Sequence, residues 1–497
     1  MSGISKYKFG EKSLELNSEK SLFKPIFVFN NSPKKEVYYS FSLSDLLNFT
    51  GKLEPCNIGI SFILQSGVVP PPKTVYKNLY VIGLGYKLIL CSKGGKINLN
   101  FQHNFPFFFA NRIKSESRFN IDKSFILSKL YDEIQKKSIE NQRSFLSHSS
   151  GKDSNMIALA LAEAGKKDVT FISHKSKGGA DESEISKKIS KKLGFKHLSL
   201  KEVSEFDSNQ KKDIIKFFEG STLPCTDHTS ISFSINSSQI KDIIKGNLID
   251  GLSNDVYLGY VPPKEEIFKI KLNKLTSPLF KNFNSITKSN SLLYNLSRSI
   301  THNLGFFGLS FNDSKFYENS VNISKFWYEK DKLLKDLDFI DFRGLIRGGI
   351  IDEQIFLPKY RNFSDSFGSN FIFPWSSAEL IDYFQKVPEN ELFDRNNLRN
   401  KLFIRNILKN DLDLDSDKLG KMGYNFNTYE IFTNNKYWIL DEIHKCKFWN
   451  RSKIEKLTAK FVSLDFKHKT AKSPYWRQLY QLFQLSAWFN YSKHVKF

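Results

Sequence analysis

The sequence predicts an α/β protein built on a doubly wound parallel sheet, with a largely helical C-terminal part and a small, mainly β region at the N-terminus. Strand-like and helical runs alternate over residues 113–200, which is typical of a parallel sheet with helices on both faces. Short strand-like runs separated by turn residues fill residues 1–110. Apolar residues at helical spacing predict an amphipathic helix over residues 475–488.

Composition argues against several classes of protein. The 497 residues carry a formal net charge of +22, but the lysines are dispersed, which favours solvated helix faces over a nucleic-acid-binding patch. Four well-separated cysteines give no zinc-binding or disulfide pattern and fit a reducing cytoplasm. Residues 1–20 are polar and predict no signal peptide, and apolar runs such as residues 79–91 are too short to span a bilayer. We therefore expect a cytoplasmic protein without membrane or nucleic-acid partners.

The N-terminal region contains predicted strands and short helical runs. Residues 24–30 and 36–40 are strand-like, and turn residues separate them. A short helical run over residues 43–47 follows. Between residues 58 and 90 come an apolar helical run, a proline-rich turn and a further strand.

The stretch that carries chemistry lies at residues 142–165. A strand-like run over residues 144–146 leads into a turn of small polar residues, and an apolar helical stripe then continues to Gly165. Backbone N–H groups converge at such a turn and the helix dipole favours negative charge, so the sequence predicts an anion-binding loop. An ordinary strand–turn–helix with a serine-rich turn is the structural alternative. The turn consists of Ser149, Ser150, Gly151, Lys152, Asp153 and Ser154.

The alternation of strands and helices continues beyond this loop. Residues 168–173 form a predicted buried strand, residues 181–193 an amphipathic helix that opens on acids, and residues 197–200 the next strand. In a doubly wound parallel sheet, ligands bind outside the carboxyl ends of the strands. The ligand is therefore expected at the edge where these strands end.

The turn at residues 149–154 resembles the pyrophosphate loop of the N-type ATP pyrophosphatases, Ser-Gly-Gly-x-Asp-Ser, with Ser150 in place of the first glycine. This resemblance implies an enzyme that adenylates its substrate with ATP while the loop holds the leaving pyrophosphate and the aspartate binds Mg²⁺. It also implies that the adenine lies against the end of the second strand. The residues implied to bind the nucleotide are Ser149, Ser150, Gly151, Lys152, Asp153, Ser154 and Ser173.

Further segments resemble asparagine synthetases, in the order expected of that family. Residues 67–86 resemble the end of the glutaminase domain, although Ser2 stands where such enzymes have a nucleophilic cysteine. The resemblance implies a degenerate glutaminase-like region over residues 1–112 and a PP-loop-type ATP-binding ligase domain over residues 113–497. Residues 265–335 match no landmark and are predicted to be helical with variable connections. The later segments that resemble synthetase landmarks are residues 221–228, 247–260, 357–364, 373–384, 400–405 and 421–424.

The segment that contains Asp255 resembles an acidic motif of the family, but two of its acids are replaced. Gly251 and Asn254 occupy acid positions, and Asp255 occupies the last one. Magnesium prefers hard oxygen ligands, so the resemblance implies Asp153 and Asp255 as the metal-binding pair, with Asn254 as a weaker ligand. Asp250, one position from the first lost acid, would replace it only in a shifted loop.

Lys421 lies in a context that resembles the family's Lys-x-Gly-Phe, where it would neutralise phosphate and a developing oxyanion. A surface lysine is the structural alternative. The implied catalytic residues are thus Lys421 and Asp255.

The resemblance implies an AMP-forming ligase that joins a small-molecule or peptide carboxylate to ammonia or an amine, with a separate glutaminase as one source of nitrogen. Gly251 and Ser377 depart from the pattern of the aspartate enzyme, so the acceptor stays open. A non-catalytic ATP-binding protein and a PP-loop enzyme that modifies tRNA are the alternatives.

Overall fold

Seven strands close to the N-terminus form two antiparallel sheets. The computed structural model describes residues 3–18, 20, 24–109, 119–175, 182–240, 245–419, 427–468 and 474–496. The N-terminal strands are β1 (Ser5–Lys8), β2 (Leu14–Asn17), β3 (Ile26–Asn31), β4 (Glu36–Ser40), β5 (Leu79–Ile82), β6 (Tyr86–Lys93) and β7 (Lys96–His103). One sheet has the order β1-β4-β3-β5 and the other β2-β6-β7. Successive residues of β3 point to opposite faces, so Val28 packs towards the second sheet whereas Phe27 enters the core of the remaining molecule.

A five-stranded parallel sheet forms the centre of the molecule. Its strands are β8 (Ser144–Ser147), β9 (Val169–Lys175), β10 (Lys196–Lys201), β11 (Asn247–Ile249) and β12 (Asn370–Ile372). The spatial order is β10-β9-β8-β11-β12, and every neighbouring pair is parallel. The chain winds away from the adjacent strands β8 and β11 in both directions. Their carboxyl ends therefore form the switch point of a doubly wound sheet, where ligands bind.

Helices surround this sheet and build the C-terminal half of the chain. The helices that lie before residue 260 in the chain are α1 (Leu43–Thr50), α2 (Asn57–Ser66), α3 (Lys123–Lys137), α4 (Lys152–Glu163), α5 (Glu182–Leu193), α6 (Ser208–Gly220), α7 (Ser232–Asn236) and α8 (Asp255–Leu258). The later ones are α9 (Lys264–Phe280), α10 (Leu292–Ser297), α11 (Ser324–Asp331), α12 (Phe339–Ile346), α13 (Leu357–Phe367), α14 (Ala378–Lys386), α15 (Glu389–Leu392), α16 (Leu402–Leu412), α17 (Ser416–Leu419), α18 (Thr428–Asn434), α19 (Lys436–His444), α20 (Arg451–His468) and α21 (Pro474–Tyr491). A two-stranded pair, β13 (Phe393–Asp394) and β14 (Arg399–Asn400), precedes α16.

The predicted α/β class with a parallel sheet is confirmed, together with small antiparallel sheets near the N-terminus. The PP-loop type of the central sheet stays a prediction. Predicted strands at residues 168–173 and 197–200 correspond to β9 and β10, and the predicted helix at residues 181–193 corresponds to α5. None of the helices in the described ranges combines the length and apolar character that a bilayer crossing requires.

A π-helical segment, Arg347–Phe356, joins α12 to α13 in one continuous helical stretch. Gly348 lets this segment approach α8, because a Cβ there would lie 2.5 Å from a methyl carbon of Val256. π-Helical turns are rare and occur mostly at functional sites. This one directs Arg347 towards a cavity and Glu353 towards the N-terminal sheets.

One hydrophobic cluster joins the N-terminal layer to the rest of the chain, since it extends from Phe27 to Val495. Hydrogen bonds cross the same contact, among them Trp327 Nε1 to Ser66 Oγ at 2.8 Å. The predicted domain boundary after residue 112 falls outside the described residues.

Candidate functional site

The carboxyl ends of β8 and β11 border a cavity of about 310 Å³. Residues 148–151 connect β8 to α4, and residues 250–254 connect β11 to α8. The end of β9 and the start of α13 complete the walls. Because this cavity lies at the switch point of the sheet, it is the first candidate for a ligand site.

Side chains of the first loop hold the loop's own backbone. Ser149 Oγ accepts a hydrogen bond from the Gly151 N–H at 3.0 Å, and Ser154 Oγ donates to the Gly151 carbonyl at 3.1 Å. Asn155 Nδ2 donates to the Ser149 carbonyl at 3.1 Å. Gly151 has no side chain to cap α4, so the first-turn N–H groups have no intrahelical acceptor. The loop therefore offers backbone donors and the positive end of a helix dipole to an anion.

A buried histidine supports the loop from behind. His148 Nε2 lies 3.1 Å from Asn155 Oδ1, and its Nδ1 lies 2.7 Å from Ser186 Oγ. Burial lowers the pKa of His148 to about 3, so the ring is neutral at pH 7. A neutral ring that donates from Nε2 and accepts at Nδ1 satisfies both contacts. His148 is therefore a positioning residue for Asn155 and, through it, for the loop.

A buried lysine connects the two loops. The Lys401 ammonium donates to both carboxylate oxygens of Asp153, at 2.8 and 2.7 Å, and to Asn254 Oδ1 at 2.8 Å. It also lies 2.7 Å from Asp255 Oδ1. Burial alone would lower the pKa of Lys401, but the charges of Asp153 and Asp255 outweigh burial, and the pKa is raised. Lys401 is therefore a fixed cation between the two acids.

The backbone of Lys401 adopts a left-handed conformation, with φ of +54°, immediately before α16. Such conformations are uncommon for residues other than glycine and persist where the surroundings hold them. The contacts of the ammonium with two loops supply that restraint.

The predicted metal-binding pair, Asp153 and Asp255, is thus brought together, with an ammonium between the two carboxylates. The oxygens of Asp153, Asn254 and Asp255 are the kind that Mg²⁺ prefers, so the donor set fits this ion. In the described ranges, no group of three or more acidic, histidine or cysteine side chains is placed to hold a metal. A metal bound here would therefore need further oxygens from its ligand.

Gly251 stands at a lost acid position for a steric reason. A Cβ at this position would lie 3.1 Å from Asp153 Cβ and 3.1 Å from Ser154 N. A side chain would therefore push the second loop away from the start of α4. The close approach of the two loops depends on this glycine.

Asp250 does not take the place of the lost acid. The Tyr360 hydroxyl donates to Asp250 Oδ2 at 3.1 Å, and the Leu252 N–H donates to Asp250 Oδ1 at 3.1 Å. Burial raises the pKa of Asp250. Asp255, and not Asp250, is the acid that shares Lys401 with Asp153.

The predicted nucleotide-binding residues and the predicted catalytic residue Lys421 fall into three groups. Ser150 and Lys152 flank the cavity without lining it: Ser150 Oγ donates to Glu182 Oε1 at 2.6 Å, while burial and the charges of Lys401 and Arg405 lower the pKa of Lys152 to about 8. Lys421 lies outside the described residues. The predicted residues that line the cavity are Ser149, Gly151, Asp153, Ser154 and Ser173.

Lys359 lines the cavity and pairs with Asp227. Lys359 Nζ is 2.7 Å from Asp227 Oδ2 and 3.0 Å from Thr229 Oγ1. Burial would raise the pKa of Asp227, but the charge of Lys359 and a hydrogen bond from His228 outweigh it, and the pKa is lowered. Asp227 also accepts from the Thr229 N–H at 3.2 Å, so it caps a turn as well as holding a cation.

Asp227 borders a second cavity, of about 220 Å³, beside the π-helical segment. Two arginines line it. Arg347 Nη1 donates to the Leu304 carbonyl at 2.9 Å, and the Arg477 guanidinium lies 4.3 Å from the centre of the Phe307 ring. In the described part of the chain neither guanidinium pairs with a carboxylate. The cavity is therefore suited to an anionic group.

Sequence reasoning missed Lys401 and Lys359. Both lie in segments that resemble family landmarks, residues 400–405 and 357–364. A lysine carries little information by itself in a chain with 74 basic residues. Position within those segments was the one signal that could have singled them out.

Comparisons with known proteins give no family assignment. No protein-family model matches the chain, and no significant match was found among curated proteins. Any function must therefore be inferred from the residues at the switch point and from the resemblance of short segments.

Proposed function

We propose that the chain binds Mg·ATP at the loop of residues 149–154, adenylates a carboxylate and joins it to ammonia or an amine. One observation carries the proposal: a serine-rich loop with a helix N-terminus meets two acids, Asp153 and Asp255, at the switch point of a parallel sheet. The loop suits phosphate groups, and the acids suit the cation that accompanies ATP. The resemblance to asparagine synthetases supplies the reaction type.

We assign the phosphate oxygens to the backbone N–H groups at the start of α4 and to the hydroxyls of Ser149 and Ser154. Negative charge grows on the pyrophosphate as it leaves, and preorganised donors stabilise that charge. Lys401 adds a cation at the same place. Magnesium, when held by Asp153 and Asp255, would supply further charge stabilisation. Lys421 stays a candidate for the same role.

The proposed reaction has two steps. In the first, a carboxylate oxygen attacks the α-phosphorus of ATP, a new P–O bond forms, and the bond to the pyrophosphate oxygen breaks. In the second, the nitrogen lone pair attacks the acyl carbon, AMP leaves with the electrons of the C–O bond, and the nitrogen loses a proton. Adenylation converts a poor leaving group into a good one.

The second cavity supports a substrate with an additional anionic group. Arginine binds carboxylates through parallel N–H donors, and Arg347 and Arg477 both face this space. Asp227 and Lys359 lie between the two cavities. A substrate held by the arginines would approach the nucleotide beside Lys359.

ATP–pyrophosphate exchange against a panel of carboxylic acids tests the proposal, because it reports adenylation without knowledge of the amine. We expect exchange with at least one acid and a loss of about a hundredfold in Asp153→Ala, since one electrostatic stabiliser is removed. Ser128→Ala, on the exposed side of α3, is the control and should exchange normally. Undiminished exchange in Asp153→Ala would place the chemistry elsewhere.

A non-catalytic ATP-binding protein is the second candidate, and the position of Lys401 favours it. An ammonium between Asp153 and Asp255 already offsets one of their two negative charges. Such a site could bind ATP without a metal. Calorimetric titration with ATP, in magnesium or in chelator, separates the candidates: equal affinity in both and no exchange with any acid would support this alternative.

A further inference from the structure

Helix α9 turns large apolar side chains towards solvent. Phe268, Leu272, Leu275 and Leu279 are 41–73 % exposed. Their spacing of four, three and four residues places them on one face of the helix. A surface helix normally buries such a face, whereas α9 exposes it to solvent.

The buried face of α9 is mostly polar. Its buried residues are Ile270, Asn273 and Ser277, which lie on the side of the helix opposite the apolar row. Core packing therefore does not explain the apolar row, because the helix packs through its small and polar residues. The row is free to contact something outside the described chain.

Further exposed apolar residues follow α9 in the chain. Of the thirteen large apolar side chains that are exposed in the described ranges, seven fall between residues 268 and 292. Scattered exposed apolar residues are ordinary, whereas a concentration marks an interaction site. These seven form what is here termed the α9 surface: Phe268, Leu272, Leu275, Leu279, Phe283, Ile286 and Leu292.

Lysines accompany the α9 surface. Six are exposed, and in the part of the chain that the structure describes none of them forms an ion pair. Of the nearby acids, Glu266 is occupied by Arg343. The surface is therefore both apolar and positively charged. The six are Lys264, Lys269, Lys271, Lys274, Lys281 and Lys288.

We propose that the α9 surface binds an anionic lipid bilayer, with α9 lying in the plane of the membrane interface. Apolar side chains flanked by lysines are the chemistry of interfacial helices, in which Phe and Leu enter the acyl boundary and lysines meet anionic headgroups. A second copy of the chain fits less well, because a twofold contact would bring the two lysine sets together. This peripheral contact departs from the sequence-based expectation of no membrane partner, which rests on the lack of spanning segments alone.

Co-sedimentation with phosphatidylcholine vesicles, with and without phosphatidylserine, tests the proposal on the full chain. We expect binding to the phosphatidylserine vesicles alone, weakened by salt because the headgroup attraction is screened. Leu275→Ser with Leu279→Ser should weaken binding by about tenfold or more, because the substitutions remove apolar surface that the membrane would bury. Both positions are exposed, so the fold should be kept.

Two further variants complete the design. Phe41→Ser changes an equally exposed apolar residue outside the α9 surface and should bind vesicles normally. Lys271→Gln with Lys274→Gln should reduce the preference for phosphatidylserine. Undiminished vesicle binding by the double leucine variant would overturn the proposal. A dimer of the parent that the same leucine variant converts to monomer, without vesicle binding by either, would overturn it in favour of self-association.

Discussion

The Lys401 ammonium competes with any metal for the same oxygens. It contacts Asp153, Asn254 and Asp255, which are the oxygens that would hold magnesium. The two carboxylates are partly exposed and share one ammonium, so their mutual repulsion is offset only while that positive charge stays between them. Magnesium could therefore enter only if the ammonium moves to a new anionic partner. The phosphates of an arriving nucleotide would be such a partner, because their oxygens are negatively charged like those of a carboxylate.

Replacing Lys401 by alanine should destabilise the protein and make its stability depend on magnesium. The change leaves Asp153 and Asp255 facing each other. Removal of one partner of a buried pair costs about 3–5 kcal/mol, and partial exposure of the acids reduces this to about 2 kcal/mol. Magnesium should restore part of the loss by binding the folded state. Urea unfolding with and without magnesium chloride measures both effects.

Lys409→Ala provides the control for this prediction. Lys409 is exposed on the same helix, α16, and its loss should change stability by about 0.5 kcal/mol or less. Equal stability of the two variants in the absence of magnesium would show that Lys401 does not hold the loops together.

Asp255→Asn should weaken Mg·ATP binding by about tenfold or more, because the second carboxylate of the proposed metal pair is lost. Asp250→Asn is the matched control: its amide oxygen can accept from the Leu252 N–H, its amide N–H can donate to the Tyr360 hydroxyl oxygen, and residue 250 lies outside the pair. Calorimetric titration compares the two. Parental affinity in Asp255→Asn would remove Asp255 from the proposed site.

At the scale of single residues, the sequence predicted which side chains form the loop better than it predicted which distant side chains contact the loop. The serine loop is local, and four of its six consecutive positions, Ser149, Gly151, Asp153 and Ser154, line one cavity. Lys401 reaches Asp153 across 248 positions in the chain. No local sequence pattern encodes a contact over that separation in the chain. In a lysine-rich sequence, nothing local distinguishes Lys401 from the other lysines.

Among the elements, the π-helical segment brings an acid into the N-terminal sheets. Both carboxylate oxygens of Glu353 accept from the Leu84 N–H, at 3.1 and 3.4 Å. A Cβ at Gly83 would lie 2.1 Å from Glu353 Oε2, so the glycine makes room for the carboxyl group. Burial raises the pKa of Glu353 to about 8.

This carboxyl group should make stability fall with rising pH. Its pKa in the folded state is above the unfolded value, so its contribution is complete below about pH 4.5 and is lost as pH rises towards about 8. The slope from this one group is about 1.4 kcal/mol per pH unit. Glu353→Gln stays neutral and keeps an oxygen acceptor. Urea unfolding between pH 5 and pH 8 should therefore show a gap between variant and parent that widens with pH; a constant gap would contradict the buried titration.

Element boundaries were predictable because they depend on local signals. The helix predicted over residues 181–193 is helical over its described part, Glu182–Leu193, and the strand predicted over residues 168–173 extends two residues further, to Lys175. The orientation of α9 was not predictable, because periodicity identifies two faces without saying which one is buried. The π-helical segment has no sequence signature that a period-3.6 pattern would reveal.

Across the whole molecule, the N-terminal layer is a structural part of the larger core. Tyr76 donates to the Thr222 carbonyl at 2.9 Å, and Tyr317 donates to Asn57 Oδ1 at 2.7 Å. One face of the β1-β4-β3-β5 sheet contributes to the cluster that reaches Val495. Residues of the N-terminal layer and of the later helices therefore form one hydrophobic core.

A fragment comprising residues 113–497 should fail to unfold cooperatively, because it leaves the apolar partners of the N-terminal layer exposed. We expect a broad urea transition, weak near-ultraviolet circular dichroism and strong binding of a hydrophobic dye. The control is the full chain cleaved at a protease site inserted between residues 110 and 118, in which both pieces are present. A sharp transition for the fragment alone would show that residues 113–497 fold independently.

The pairing of residue 53 with the far end of the chain also fixes an order of events during synthesis. Leu53 N–H donates to the His494 carbonyl at 3.0 Å, and the Lys496 N–H donates to the Leu53 carbonyl at 2.9 Å. A ribosome that adds about 5–20 residues per second reaches these partners about 20 to 90 seconds after it has added residue 53. Throughout that interval the N-terminal layer lacks its final neighbours. Nascent chains of this protein therefore carry an unfinished apolar surface until residues 494–496 have been made, which is the period when chaperones would act on them.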